Sequence, residues 1–217
     1  MSVNTPLTLR TLHRLPSAAR LRQLCVANAV LDAILMPDWV YRYFSFDAQW
    51  SPGEAVGSLR TGSGDHHYVL FCGAGVLIKG LEVGSVLNTP RCPDAEDWRT
   101  AAVPTGLRAA LSEPAFEMDW ISYCLWSAPT GAPWRSGTPA APDALDAPLG
   151  HLHLLVDAPA AYAQWATAYY ERPVSLEAVR LVQEHTPLTP QLIQELNPEV
   201  TLEDLAEGLH QIGFPLA

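Results

Sequence analysis

The sequence predicts an α+β fold, a mostly antiparallel sheet packed by an N-terminal helix and a C-terminal helical cluster. Three observations carry that expectation. Ser17 to Met36 holds an apolar stripe at helical spacing, with Ser17 placed to cap it and Pro37 to stop it. His67 to Cys72 and Val76 to Leu81 are β-prone runs joined by Gly73-Ala74-Gly75, the form of a hairpin. The last third of the chain is punctuated by helix caps.

Taken in order, Leu21, Leu24, Cys25, Asn28, Leu31 and Leu35 mark one face of the first helix. Val26, Val30 and Ile34 widen that stripe, so the helix should be well buried. Trp39 to Phe46 reads as a strand with Trp39, Tyr41 and Tyr43 on one face. Ser51-Pro52-Gly53-Glu54 has the form of a capping box with Pro at the first helical position, and predicts a short helix to about Arg60. The Thr61-Gly62-Ser63-Gly64-Asp65 run then breaks it. In the hairpin, Val69, Phe71, Val76 and Ile78 are the expected core positions.

Beyond it, Asp94–Thr100 and Pro104–Leu111 carry weaker helical signals, and Phe116 to Trp126 reads as a central strand. Residues 129–148, with prolines at 129, 133, 139, 142 and 148, read as an exposed loop within a single domain spanning 1–217. Gly150–Val156 suits either a strand or a buried lead-in. Asp157 is placed to cap a helix running from near Pro159 to about Glu171, ended by Arg172-Pro173. Ser175–His185 is a further helix, Thr189 and Thr201 N-cap two more, and Gly213 closes the last.

Composition limits the function classes. Hydrophobic residues make up 48% of the 217 and charged ones 17%, enough for a packed core without disulfide or metal staples. No apolar run approaches the ~20 residues that span a bilayer, and no secretory signal is visible, so the expected compartment is the cytoplasm. Cysteines 25, 72, 92 and 124 form no CxxC pair and read as reduced thiols, giving no expectation of a zinc site or any other cofactor. The net charge is −10, and Lys79 is the one lysine among 13 basic residues. Nucleic acid and anionic membrane are disfavoured as partners, while a basic protein partner fits the charge.

The segment from Trp50 to Glu82 is the densest in residues that packing does not demand. Arg60, Ser63, Asp65 and His66 lie in or beside a glycine-bearing turn whose backbone N–H groups can hold an anion. The turn also fits an ordinary strand entry, in which the glycines supply positive φ and Asp65 bonds local backbone. Neither a P-loop nor a dinucleotide-binding fingerprint is present. Lys79 lies on the second hairpin strand, where it can pair with Asp65 or Glu82, engage an anion, or stand as a solvated edge lysine. His66 and His67 are adjacent and so point to opposite faces if extended. His151-x-His153 places two imidazoles together but lacks a third ligand at recognised spacing, so no metal is expected there. No nucleophile motif of the common hydrolase types occurs.

The run Tyr43-Phe44-Ser45-Phe46-Asp47-Ala48-Gln49-Trp50, then Gly53-Glu54, Ser58 to Asp65 and Ile78-Lys79-Gly80, resembles a family of uncharacterised bacterial proteins. Tyr123 to Trp126 and Trp165 with Tyr169-Tyr170-Glu171 look similar too. Where the pattern continues with an acidic, histidine-bearing stretch, Leu81 to Ser85 keeps Glu82 and lacks the histidine. The resemblance implies no transferable activity; small acidic bacterial proteins of this type suggest immunity or partner-binding factors. The sequence thus leads to a non-enzymatic protein-binding factor. The alternative is a small-ligand-binding protein or hydrolase-type enzyme using Trp50, Arg60, Ser63, Asp65, His66, Lys79 and Glu82.

Overall fold

A computed structural model describes residues 6–90, 97–129, 131–156 and 158–214. After a 3-10 turn at Leu9–Arg14, α1 runs over Ala18–Leu35, with the Ser17 side chain accepting from the Arg20 N–H. Four strands follow in a meander: β1 (Phe44–Ser51), β2 (Glu54–Arg60), β3 (His66–Cys72) and β4 (Gly75–Leu81). β5 (Thr89–Pro90) pairs with β6 (Trp120–Ile121) as a separate ribbon, and β7 (Tyr123–Ser127) and β8 (Arg135–Ser136) complete the main sheet. Its order is β1-β2-β3-β4-β7-β8, antiparallel throughout. The helices α2 (Ala160–Tyr169), α3 (Leu176–Gln183), α4 (Pro190–Leu196) and α5 (Leu202–Ile212) close the chain.

Both faces of the sheet are covered, which explains why β3 and β4 read as continuous apolar runs. On one face Phe44, Phe46, Leu59, Val69, Ile78 and Leu125 join the core formed with α1 and the C-terminal helices. On the other, Val56, Leu70, Leu77, Cys124 and Trp126 pack against Val103, Leu107, Phe116 and Ile121. We call these the helical face and the strap face. Helix α1 contacts β1, β2, α3, α4 and α5, so every residue from Leu24 to Leu35 is buried. The predicted caps at Ser175, Thr189 and Thr201 are present, and Gly213 closes α5 at φ 72°.

Several elements differ from expectation. Glu54–Arg60 is a strand, not a helix. Pro52-Gly53 turns between Ser51 and Glu54, with Gly53 at φ 79°, and Ala55 to Arg60 are claimed by the β3 ladder. Trp39–Tyr41 is a 3-10 turn capped by Asp38, and β1 begins only at Phe44 because the Asp32 carboxylate accepts from the N–H groups of Tyr43 and Phe44. The predicted strand at 116–126 is broken at Glu117, where φ is 50°, and again at Ser122 between β6 and β7. Gly150–Leu155 is a buried 3-10 helix. Asp97 to Ala102 forms turns, while residues 94–96 and the predicted cap Asp157 lie outside the described residues. The 129–148 stretch carries β8 and a 3-10 turn at Pro142–Asp146, with Ala147 buried. Among the described residues, no helix is long and apolar enough to cross a membrane.

Candidate functional site

Antiparallel register aligns one polar row across the strap face: Ser45, Ser58, Tyr68, Lys79 and Cys124 stand side by side on five strands. Arg60 and His66 are directly paired in the next row on that face. At the β1 edge this surface opens into a cleft of about 320 Å³ that wraps past the edge to Phe44, Phe46 and, on α5, Gln211 and Ile212. Trp39, Trp50, Tyr68, Ser45, Ser58 and Arg60 line it. Phe116 stacks with Trp50 at 6.2 Å and with Tyr68 at 5.3 Å between ring centroids, fixing two aromatic walls. The hydroxyls of Ser45 and Ser58 lie 2.8 Å apart, and one bond between them leaves one hydroxyl hydrogen for a ligand.

The Arg60 guanidinium lies 4.7 Å from the centroid of the Trp39 ring. Among the described residues it has no carboxylate partner, although its backbone is held by the β1–β2–β3 ladder. A planar cation held on an aromatic face, beside hydroxyls and two further rings, is suited to a carboxylate or phosphate on a flat molecule.

Behind Tyr68 sits a buried polar pair. Lys79 is fully buried, and its Nζ lies 2.6 Å from Nε2 of His66. The expected solvated edge lysine is therefore corrected: β4 lies between β3 and β7, and the side chain points into the strap. Burial lowers the Lys79 pKa to about 8, against the pull of Glu117 and Cys124. Burial and the neighbouring Lys79 lower that of His66. Glu117 approaches the same imidazole at 3.9 Å.

The remaining predicted residues fall elsewhere. Ser63 is exposed, and its hydroxyl lies 2.8 Å from that of Thr61. Asp65 accepts from the Val83 N–H at 2.7 Å, tying the glycine turn to the end of β4. Asp65 and Glu82 meet on the helical face, where His151 joins them. The seven predicted residues thus divide between the cleft (Trp50, Arg60), the pair behind it (His66, Lys79), the helical-face cluster (Asp65, Glu82) and an open turn (Ser63). His66 and His67 do face opposite sides, one toward Lys79 and the other sensing His151. His151 and His153 lie on a 3-10 helix instead of a strand face, with ring centroids 6.4 Å apart. Trp39 and Tyr68 were missed as cleft walls; aromatic character was their sole signal, and it fits core packing equally well.

No family model matches the chain, and neither a curated protein nor a solved structure matches it.

Proposed function

We propose that this is a small-ligand-binding protein whose cleft at the β1 edge takes a flat molecule carrying a carboxylate or phosphate. The observation that carries the reading is Arg60, seated on Trp39 without an acidic partner among the described residues, at a cleft walled by Trp50 and Tyr68. The rings offer stacking, the guanidinium a bidentate grip on an anion, and the Ser45–Ser58 pair a donor. A volume of about 320 Å³ falls at the small end of ligand pockets. Trp39 and Trp50 make binding visible by fluorescence. Titration with aromatic carboxylates and nucleoside monophosphates should quench it, and Arg60→Ala should weaken binding at least about tenfold. Equal affinity in wild type and variant would remove Arg60 from the site, and no response to either ligand class would sink the reading.

A protein partner is the second reading, favoured by the turn beside the cleft. Trp39, Val40 and Tyr41 are 54%, 73% and 60% exposed, and a Trp and a Tyr of this kind are common anchors in interfaces. With a net charge of −10, a basic partner suits it best. A double substitution Val40→Ser and Tyr41→Ser should abolish capture of such a partner while leaving small-anion binding intact.

A further inference from the structure

On the helical face, at the end of the sheet that carries the glycine turn, three side chains from distant parts of the chain meet. Asp65 comes from the turn before β3, Glu82 from the residue after β4, and His151 from the 3-10 helix before α2. One ligand atom from each lies within 4.8 Å of the other two, and Nδ1 of His151 stands 3.9 Å from Oε2 of Glu82. All three are partly buried, and Asp65 and Glu82 line a cavity of about 560 Å³.

The surroundings are built to hold these groups. The Glu82 carboxylate rests against the backbone at Gly150, on the space a Cβ would fill, and Gly150 has a φ of 50°. One Asp65 oxygen is fixed by the Val83 N–H, leaving the other for the cavity. His151 Nδ1 is buried without a hydrogen bond. Two further polar groups, both more than nine-tenths buried, are also unpartnered: Nδ1 of His67 and the hydroxyl of Tyr123. His67, Gly80 and Tyr123 share one row of the sheet, and the Tyr123 hydroxyl lies over Gly80 toward Glu82 and Asp65.

We propose that Asp65, Glu82 and His151 bind one divalent transition-metal ion of the zinc–manganese class. An imidazole with two carboxylates suits zinc, iron and manganese better than calcium or magnesium, which favour all-oxygen shells. Ligand atoms on a shell of ~2.1 Å radius stand roughly 3–4 Å apart, so the three groups close on an ion with small side-chain movements. The site is open on the cavity side, leaving room for water or a ligand oxygen on the ion. None of its three ligands lines the cleft, so it stands independently of it.

The test uses the full chain, stripped with chelator and dialysed against zinc or cobalt. One equivalent of metal should be retained, cobalt should give the visible bands of a nitrogen- and oxygen-ligated ion, and the melting temperature should rise. Asp65→Asn, Glu82→Gln and His151→Gln should each weaken binding at least about tenfold, and His153→Gln should leave it unchanged. Circular dichroism checks that each variant folds, and the wild-type cobalt spectrum needs no variant at all. Absence of retained metal overturns the proposal. So does retention that survives the triple substitution, or that disappears with His153→Gln alone.

Discussion

Lys79 donates to Nε2 of His66 across 2.6 Å, and this contact fixes the imidazole tautomer. Nε2 must be the bare nitrogen to accept, so Nδ1 carries the proton and donates to the Gly64 carbonyl 3.0 Å away. The pair thus couples the sheet interior to the glycine turn. With the Lys79 pKa lowered to about 8 in the fold against 10.5 for a free lysine side chain, the unfolded chain binds more protons between those values. Stability from this group therefore rises as pH climbs from about 8 toward 10.5. Lys79→Met should abolish that rise and be the more stable protein at pH 7 by about 2–3 kcal/mol, converging with wild type near pH 10.5. Urea unfolding of both proteins across that range reads the difference. A Met variant less stable at pH 7 would show that the Lys79–His66 bond outweighs the burial of charge.

Asp32 on α1 offers the opposite sign. Its carboxylate is fully buried and accepts from the N–H groups of Tyr43 and Phe44 and from the Tyr162 hydroxyl, so it joins α1, β1 and α2. Burial raises its pKa to about 6 from 3.8, with those hydrogen bonds pulling the other way. The folded state therefore holds the proton more tightly, and stability from this group falls as pH rises from about 4 to 6. Asp32→Ala should remove that slope. It should also cost about 3–5 kcal/mol at neutral pH, because three donors lose their acceptor in the core. Asp32→Asn, which keeps one acceptor oxygen, should cost less. Parallel denaturation curves at pH 4.5 and 7 separate the two effects.

The extent to which the sequence foretold this arrangement depends on how local each signal is. The caps and stops of α1 and the C-terminal helices are local chemistry, and the structure matches them. The Ser51-Pro52-Gly53-Glu54 run is local too, yet ambiguous: Pro then Gly suits the centre of a turn as well as a helix start. Pairing with β3 decides it, and that is a non-local fact. The candidate sites follow the same division. Trp50, Arg60, Asp65, His66, Lys79 and Glu82 stand out in the sequence because they cluster within one segment. His151 stands out only beside His153, since nothing in spacing links it to Glu82 far upstream. Asp32 gave no signal either, because an acid within an apolar helix does not reveal which amides will turn toward it.

Gly80 is a packing test of the row behind the proposed metal site. A Cβ there would fall on the ring of Tyr123, which is fully buried across the β4–β7 ladder. Gly80→Ala should destabilise by about 1–3 kcal/mol, since neither backbone nor ring has room to yield. In a Tyr123→Ala background the same substitution should cost clearly less. A double-mutant cycle by thermal unfolding measures the coupling, and additive costs would mean the ring moves aside freely.

Arg99 carries the last prediction, because it ties down the β5–β6 ribbon next to Phe116, the ring on which the cleft walls Trp50 and Tyr68 stack. It is buried at 2% exposure beside Asp97, whose carboxylate it engages through both Nε and Nη2. Its Nη1 donates to the carbonyls of Leu87, Thr89 and Ile121, so one guanidinium closes the β5–β6 ribbon. A lysine ammonium keeps the charge but lacks the planar fork that reaches a carboxylate and several carbonyls together. Arg99→Lys should therefore cost about 2 kcal/mol or more, and Arg99→Ala about 3–5 kcal/mol, since each leaves buried acceptors or a buried charge unpaired. The ribbon continues into β7 and the strap carries Phe116, which positions Trp50 and Tyr68. Loss of Arg99 should accordingly loosen the cleft before the whole fold melts, read as faster amide exchange at residues 116–121 with α1 still protected. Equal protection of the strap in wild type and variant would show that Arg99 stabilises the fold without governing the cleft.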